Sequence, residues 1–276
     1  SAEVPIPEWT DNKTSSVLGT LLTFRKYIVI GECHAQHNLP LLTQSIDVIA
    51  SAKKTPHIFL EYRAKHQPII DQFREGSISL KHLSDRLSES AHEIVPSKKD
   101  ELITLLDKSR RKNIDVTFVD TIQPLEETAS RETLGDLIDF VNSESQERYV
   151  NSLSEDRVKK LFELLVSLDK LTNEANPQIA KIVKNETGDG TALLLIGDGH
   201  LDHNESVIQH IGKNDTLYVY ISTPECDAFK IKEQDVKGPP KYFPDVIYSA
   251  ILDQWKPTTT GLKNEPKLRF LDNIPK

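Results

Sequence analysis

Five short runs of aliphatic, aromatic and β-branched residues punctuate the chain, at 27–31, 57–61, 115–120, 192–197 and 216–221. Apolar runs of this length, with little alternation, fit strands covered on both faces, as in a parallel sheet. Between them the hydrophobic period becomes helical. Residues 39–53 carry Leu42, Ile46 and Ile49 on one stripe, with Pro40 in the first turn. Residues 68–75 stop at Gly76, where a left-handed cap is expected. Ser79 is placed to cap a turn carrying Leu80, Leu83 and Leu87, and Ser97 to cap a helix with Leu102, Leu105 and Leu106 inward. Alternating strands and helices predict right-handed βαβ crossovers.

Residues 124–187 break the alternation. They carry helical stripes at Leu134, Leu137, Ile138 and Val141, then at Val158, Leu161, Leu165, Leu168 and Leu171. At more than 60 residues the stretch exceeds an ordinary crossover and predicts a helical insertion packed against the sheet. Its leucines read as core packing before a partner-binding face. Beyond the fifth run, 237–240 predicts a loop, 244–255 a helix through Ile247, Ile251 and Trp255, and 267–271 a last strand. The expected fold is α/β, a mainly parallel sheet of about five strands flanked by helices. It forms a single domain over residues 1–276, with the helical insertion at 124–187.

Composition narrows the picture. A chain that is 37% hydrophobic and 28% charged is neither disordered nor, with two Cys, a disulfide scaffold. Cys33 and Cys226 fit two thiols or one bridge. The 34 Lys+Arg against 42 Asp+Glu give a net charge of −8, which argues against phosphate-backbone binding to nucleic acid. The longest basic runs, Lys53-Lys54 and Arg110-Arg111-Lys112, suit helix C-termini. The longest apolar run, 192–196, falls far short of the roughly 18 residues that span a bilayer, so no transmembrane segment is expected. The chain contains no Met, and its natural start is therefore expected to lie outside it.

In parallel sheets ligands bind beyond the carboxyl ends of the strands. The first run delivers Gly31-Glu32-Cys33-His34, with His37 one turn on, and the second delivers Glu61-Tyr62-Arg63. The third delivers Asp120, and the fourth Gly197-Asp198-Gly199-His200, with His203 behind. Glu32 and His34 share one side of an extended segment. Two carboxylates and two imidazoles suit a divalent metal, zinc or manganese, with water in an open position. They equally suit metal-free hydrolysis, a carboxylate acting as base on water and a His steadying the oxyanion. Crowding the two Glu is expected to raise one pKa. A Cys33 nucleophile with His34 or His200 as base ranks last, because Cys33 alternates away from Glu32 and His34. Tyr62, Arg63, His37 and Asp120 are candidate substrate-binding residues, Arg63 as an anion holder. Each has a plainer role beside it: Glu61 pairs with Arg63, Asp120 ends a strand, and His203 faces solvent. His57, His66, His82, His92 and His210 read as surface or satisfied core.

The ordered series resembles the superfamily of ChaN-like haem-binding lipoproteins and erythromycin esterases, whose relatives include Tiki proteases and endopeptidase domains of bacterial toxins and effectors. The match runs from Tyr27 to Asp215. It comprises Gly31-Glu32-Cys33-His34, Glu61, the Gln67-Pro68 helix with Gly76, and Gly197-Asp198-Gly199-His200-Leu201. The resemblance implies that Glu32, His34, Glu61 and His200 form the active site, as catalytic residues or metal ligands. It implies hydrolysis of an ester, amide or phosphate-type bond in a small-molecule or protein substrate. Haem or iron capture without catalysis is the alternative, and Cys33 and Ala35, which replace polar residues common in ChaN-like loops, count against it. An exported protein is implied, secreted effector or periplasmic lipoprotein rather than housekeeping cytoplasmic enzyme. Glu32→Gln and His200→Ala are each expected to abolish activity at unchanged melting temperature.

Overall fold

The computed structural model describes Leu22 and residues 25–32, 39–51, 56–89, 96–122, 129–143, 145–201, 205–222, 246–251 and 254–257. All five apolar runs are strands: β1 (Tyr27–Glu32), β2 (Pro56–Arg63), β3 (Asp115–Asp120), β4 (Thr191–Gly197) and β5 (Thr216–Ser222). They pair in parallel in the order β3-β2-β4-β1-β5. β6 (Val246–Ile251) adds to β5 in parallel, and β7 (Gln254–Pro257) closes that edge antiparallel. These two strands replace the helix expected over 244–255. The four-residue recurrence there also satisfies alternation, and the Val-Ile-Tyr start suits a pleated surface. The 237–240 loop and the 267–271 strand lie outside the described residues.

The helices follow from stripes and caps. α1 (Leu39–Ala50), α2 (Gln67–Arg74), α3 (Leu80–Ser88) and α4 (Pro96–Arg111) cover one face. There Leu42, Ile46, Phe73, Leu83, Leu102 and Leu105 pack on Ile28, Ile30, Ile58, Leu60, Leu193 and Leu195. Ser79 caps α3, its hydroxyl accepting the His82 amide at 3.1 Å. Gly76 adopts the expected left-handed conformation, φ 82°. The cap expected at Ser97 is not the start of α4: the helix begins at Pro96, whose fixed φ and missing N–H suit a first turn, so Ser97 lies within it.

The stretch 124–187 holds α5 (Arg131–Asn142), α6 (Gln146–Ser152) and α7 (Glu155–Thr187). α7 has 33 residues, about 50 Å of helix. Its second half packs on the opposite face of the sheet, with Ala175, Ile179, Ala180 and Val183 against Val29, Phe59, Leu194 and Ile196. α8 (Val207–Ile211) completes that layer. The first half of α7 is tied to α5 and α6 through buried Asp136, which accepts Arg157 Nε at 3.0 Å and the Tyr149 hydroxyl at 3.1 Å. No described helix is long and apolar enough to cross a membrane.

One member of the sequence series turns out to serve the sheet. β3 begins the strand order, so among the described residues one side of its ladder has no neighbouring strand. Gln67 supplies that side: its Nε2 donates to the Val116 carbonyl at 3.1 Å, and its Oε1 accepts the Phe118 amide at 2.7 Å. The side-chain amide stands in for a strand's peptide and docks α2 to the sheet edge. Gln67→Ala is expected to cost about 1–3 kcal/mol, which thermal unfolding reads as a drop of several degrees. An unchanged melting temperature would show that water replaces both bonds without cost.

Candidate functional site

β2, β4 and β1 are consecutive neighbours, so their carboxyl ends form one short edge about 10 Å across. Glu32 ends β1 in register with Gly197, the last residue of β4. By alternation Glu32 follows Ile28 and Ile30 on the α1–α4 face, whereas Glu61 follows Phe59 on the α7–α8 face. The two carboxylates therefore straddle the sheet edge, with Gly197 between them carrying no side chain. β2 shifts register between Leu60 and Arg63, an irregularity that re-aims side chains at such an end.

On the α7 face a chain of hydrogen bonds runs through the edge. The Gly197 amide donates to Glu61 Oε2 at 2.6 Å, and Glu61 Oε1 lies 2.9 Å from His200 Nε2. His200 Nδ1 lies 2.6 Å from Asn176 Oδ1, and Asn176 Nδ2 donates to the Glu205 carbonyl at 2.7 Å. The carbonyl of Glu205 can only accept, which sets the direction of the Asn176 amide. Asn176 Oδ1 then accepts, so Nδ1 of His200 carries a hydrogen. Nε2 faces a carboxyl oxygen, and that contact requires one further proton, on Nε2 or on Oε1. Glu61 and His200 thus share a proton, and His200 is only 5% exposed.

On the other face, Tyr62 stacks at a tilt on Phe118, ring centres 5.3 Å apart. Burial, then the charges of Glu32, Glu101 and Glu61, push its hydroxyl pKa well above the ordinary value. Burial also raises Asp120, with Glu61 adding, against the lowering effects of the Ile122 amide and Arg63. Tyr62 therefore lies within electrostatic reach of Glu32 and Glu61, and Asp120 within reach of Glu61 and His200. Arg63 is committed locally: its Nε lies 3.6 Å from Asp120 Oδ2, and its Nη1 donates to the Ile122 carbonyl. The ion pair expected of Arg63 is made with Asp120, and both contacts hold the loop after β3.

Cys33, His34, His37, His203 and Cys226 lie outside the described residues. Among the described residues no group of three His, Cys, Asp or Glu is arranged to hold a metal ion. In this arrangement both His200 ring nitrogens are engaged by protein partners. Sequence reasoning missed Asn176. Its signal was faint, a polar residue on the buried stripe of α7 directly before Pro177, where most Asn would be a solvent-facing helix residue.

No family model matches the sequence, and no curated protein does. Among solved structures, the chain is similar to the type III effector HopBA1, with a TM-score of 0.53 at 10% identity, covering 76% of this chain and 83% of that one. It is also compared with ChaN of Campylobacter jejuni, solved with cofacial haem, at a TM-score of 0.46 and 15% identity over 75% and 85% of the two chains. RRSP, an effector domain of a Vibrio vulnificus MARTX toxin, gives a TM-score of 0.46 at 18% identity, over 77% of this chain and 36% of that one. The fold is thus similar to that of the type III effector HopBA1.

Proposed function

We propose that the protein is a hydrolase of an ester, amide or phosphate-type bond, working at the carboxyl edge of β1, β2 and β4. The observation that carries this reading is the hydrogen-bonded Glu61–His200 pair, set at the same sheet edge where Glu32 ends β1 in register with Gly197. Two acidic groups held in different environments are what paired acid–base work needs. Glu32 takes a proton from water, and the hydroxide oxygen bonds to the carbonyl carbon or phosphorus of a substrate lying over Gly197. As the scissile bond breaks, the leaving group takes the proton shared by Glu61 and His200. The proton on Glu32 then returns to the pair through solvent, and the site is reset. The effector fold of HopBA1 supports an exported effector acting on a small-molecule or protein substrate as the biological setting.

The test is a panel of chromogenic esters, amides and phosphodiesters with Glu32→Gln as control. Wild-type protein is expected to turn over one class, and Glu32→Gln to lose at least about 10²-fold in kcat with an unchanged melting temperature. Equal turnover in the two proteins would remove Glu32 from the mechanism. His200→Ala is a poorer control than the sequence indicated. Removing a buried ring takes away the His200 contact of Asn176 Oδ1 and of Glu61 Oε1, so stability falls together with activity.

A further inference from the structure

We infer that Asn176 is a positioning residue for His200: it selects the ring form that carries hydrogen on Nδ1 and so places a transferable proton between Nε2 and Glu61. The inference rests on the hydrolase reading for its catalytic meaning but not for its geometry. Asn176 is fully buried, on the stripe of α7 that also carries Ala175, Ile179 and Ala180. A primary amide there is costly unless every polar atom is paired. Both of its polar atoms are paired, and each partner has a distinct consequence.

The Glu205 carbonyl holds Nδ2 at 2.7 Å and prevents the amide from turning over. Oδ1 is thereby aimed at His200 Nδ1 at 2.6 Å. A neutral imidazole beside a carboxylate would otherwise place its single hydrogen on Nε2, toward Glu61, and leave Nδ1 bare. Asn176 reverses that preference. With Nδ1 already protonated, the 2.9 Å contact between Nε2 and Glu61 Oε1 brings two lone pairs together unless another proton enters. Asn176 therefore recruits a second hydrogen to the pair, and this is the one that a leaving group can take. A contact serving only to fasten α7 to the segment before α8 would need the Glu205 bond alone.

The experiment uses the full chain with 15N-labelled histidine and two-bond 1H–15N spectra, comparing wild type, Asn176→Leu and Asn176→Asp. Wild type is expected to show His200 with a protonated Nδ1. In Asn176→Leu the hydrogen is expected to move to Nε2, and kcat to fall about 10²-fold with a smaller change in KM. Asn176→Asp keeps an acceptor for Nδ1 while giving up the donor to the Glu205 carbonyl; it costs stability, but returns the Nδ1 hydrogen with a downfield shift and recovers part of kcat. A folded Asn176→Leu protein whose His200 keeps Nδ1–H overturns the inference. If the Leu variant does not fold, the Asp variant decides: a downfield Nδ1–H supports it, and a bare Nδ1 overturns it. A wild-type protein with the predicted ring form but no turnover on any substrate would overturn the hydrolase reading and leave this inference standing.

Discussion

Glu61→Gln is expected to remove activity while leaving the fold standing. The glutamine carbonyl can accept the Gly197 amide, as Glu61 Oε2 does at 2.6 Å. Its amino group can donate to His200 Nε2, with Nδ1–H still held by Asn176. Every buried atom keeps a partner, so the melting temperature should move by no more than a degree or two. The shared proton is gone, because an amide neither gives nor takes one at neutral pH. Losing acid–base function of this kind lowers kcat by about 10²–10⁴-fold. Glu61→Leu separates the two roles from the other side. It leaves the Gly197 amide and His200 Nε2 without the Glu61 carboxylate in a buried place, and costs about 1–3 kcal/mol for each besides the activity. Kinetics and thermal unfolding on both variants check this. A Glu61→Gln protein with wild-type kcat would show that the pair holds structure and takes no part in chemistry.

Acid is expected to destabilise the protein through a different histidine. His57, at the start of β2, is buried, stacked on Phe59 with ring centres 4.2 Å apart, and 2.7 Å from the Thr117 hydroxyl through Nε2. Burial, with the nearby Arg74 charge adding, lowers its pKa from 6.5 to about 4, against a raising hydrogen bond to the Glu186 backbone. Between those values the unfolded chain binds more protons than the folded one. The stability is therefore complete above about pH 6.5 and is lost progressively as pH falls toward 4. The full effect is on the order of 3 kcal/mol. Asp136, held low by Arg157, acts in a lower window, as pH falls through its depressed pKa. Asp120, raised by burial, works in the opposite direction and offsets part of the loss. Chemical denaturation at pH 7, 5.5 and 4 on wild type and His57→Gln isolates the His57 share. The variant is expected to show the shallower decline. Parallel declines would assign the acid sensitivity elsewhere.

These two histidines show how far the sequence could be read. Both are buried, both follow or precede apolar runs, and composition treats them alike. The strand-end rule separates them: His200 follows a carboxyl end, where ligands collect, and His57 opens a strand at the opposite edge. Glu32, Glu61, Tyr62, Arg63, Asp120 and His200 were legible in that way, because parallel strands gather their carboxyl ends on one side whatever their order. Asn176 was not, since its role depends on which turn of a 33-residue helix passes over that edge. The region 244–255 misled because a four-residue recurrence satisfies both periods, and only pairing with β5 selects the strand.

By itself, the sequence determined the parallel α/β architecture, the five strands and the edge at which the polar strand-end residues gather. These follow from local periodicity and chain direction, which neighbours do not alter. The tertiary structure decided which residues touch. It set Glu32 and Glu61 on opposite faces about Gly197, committed Arg63 to Asp120, turned Gln67 into a substitute strand for β3, and placed Asn176 behind His200. Each of those outcomes depends on strand order and helix register, long-range quantities that no local pattern encodes.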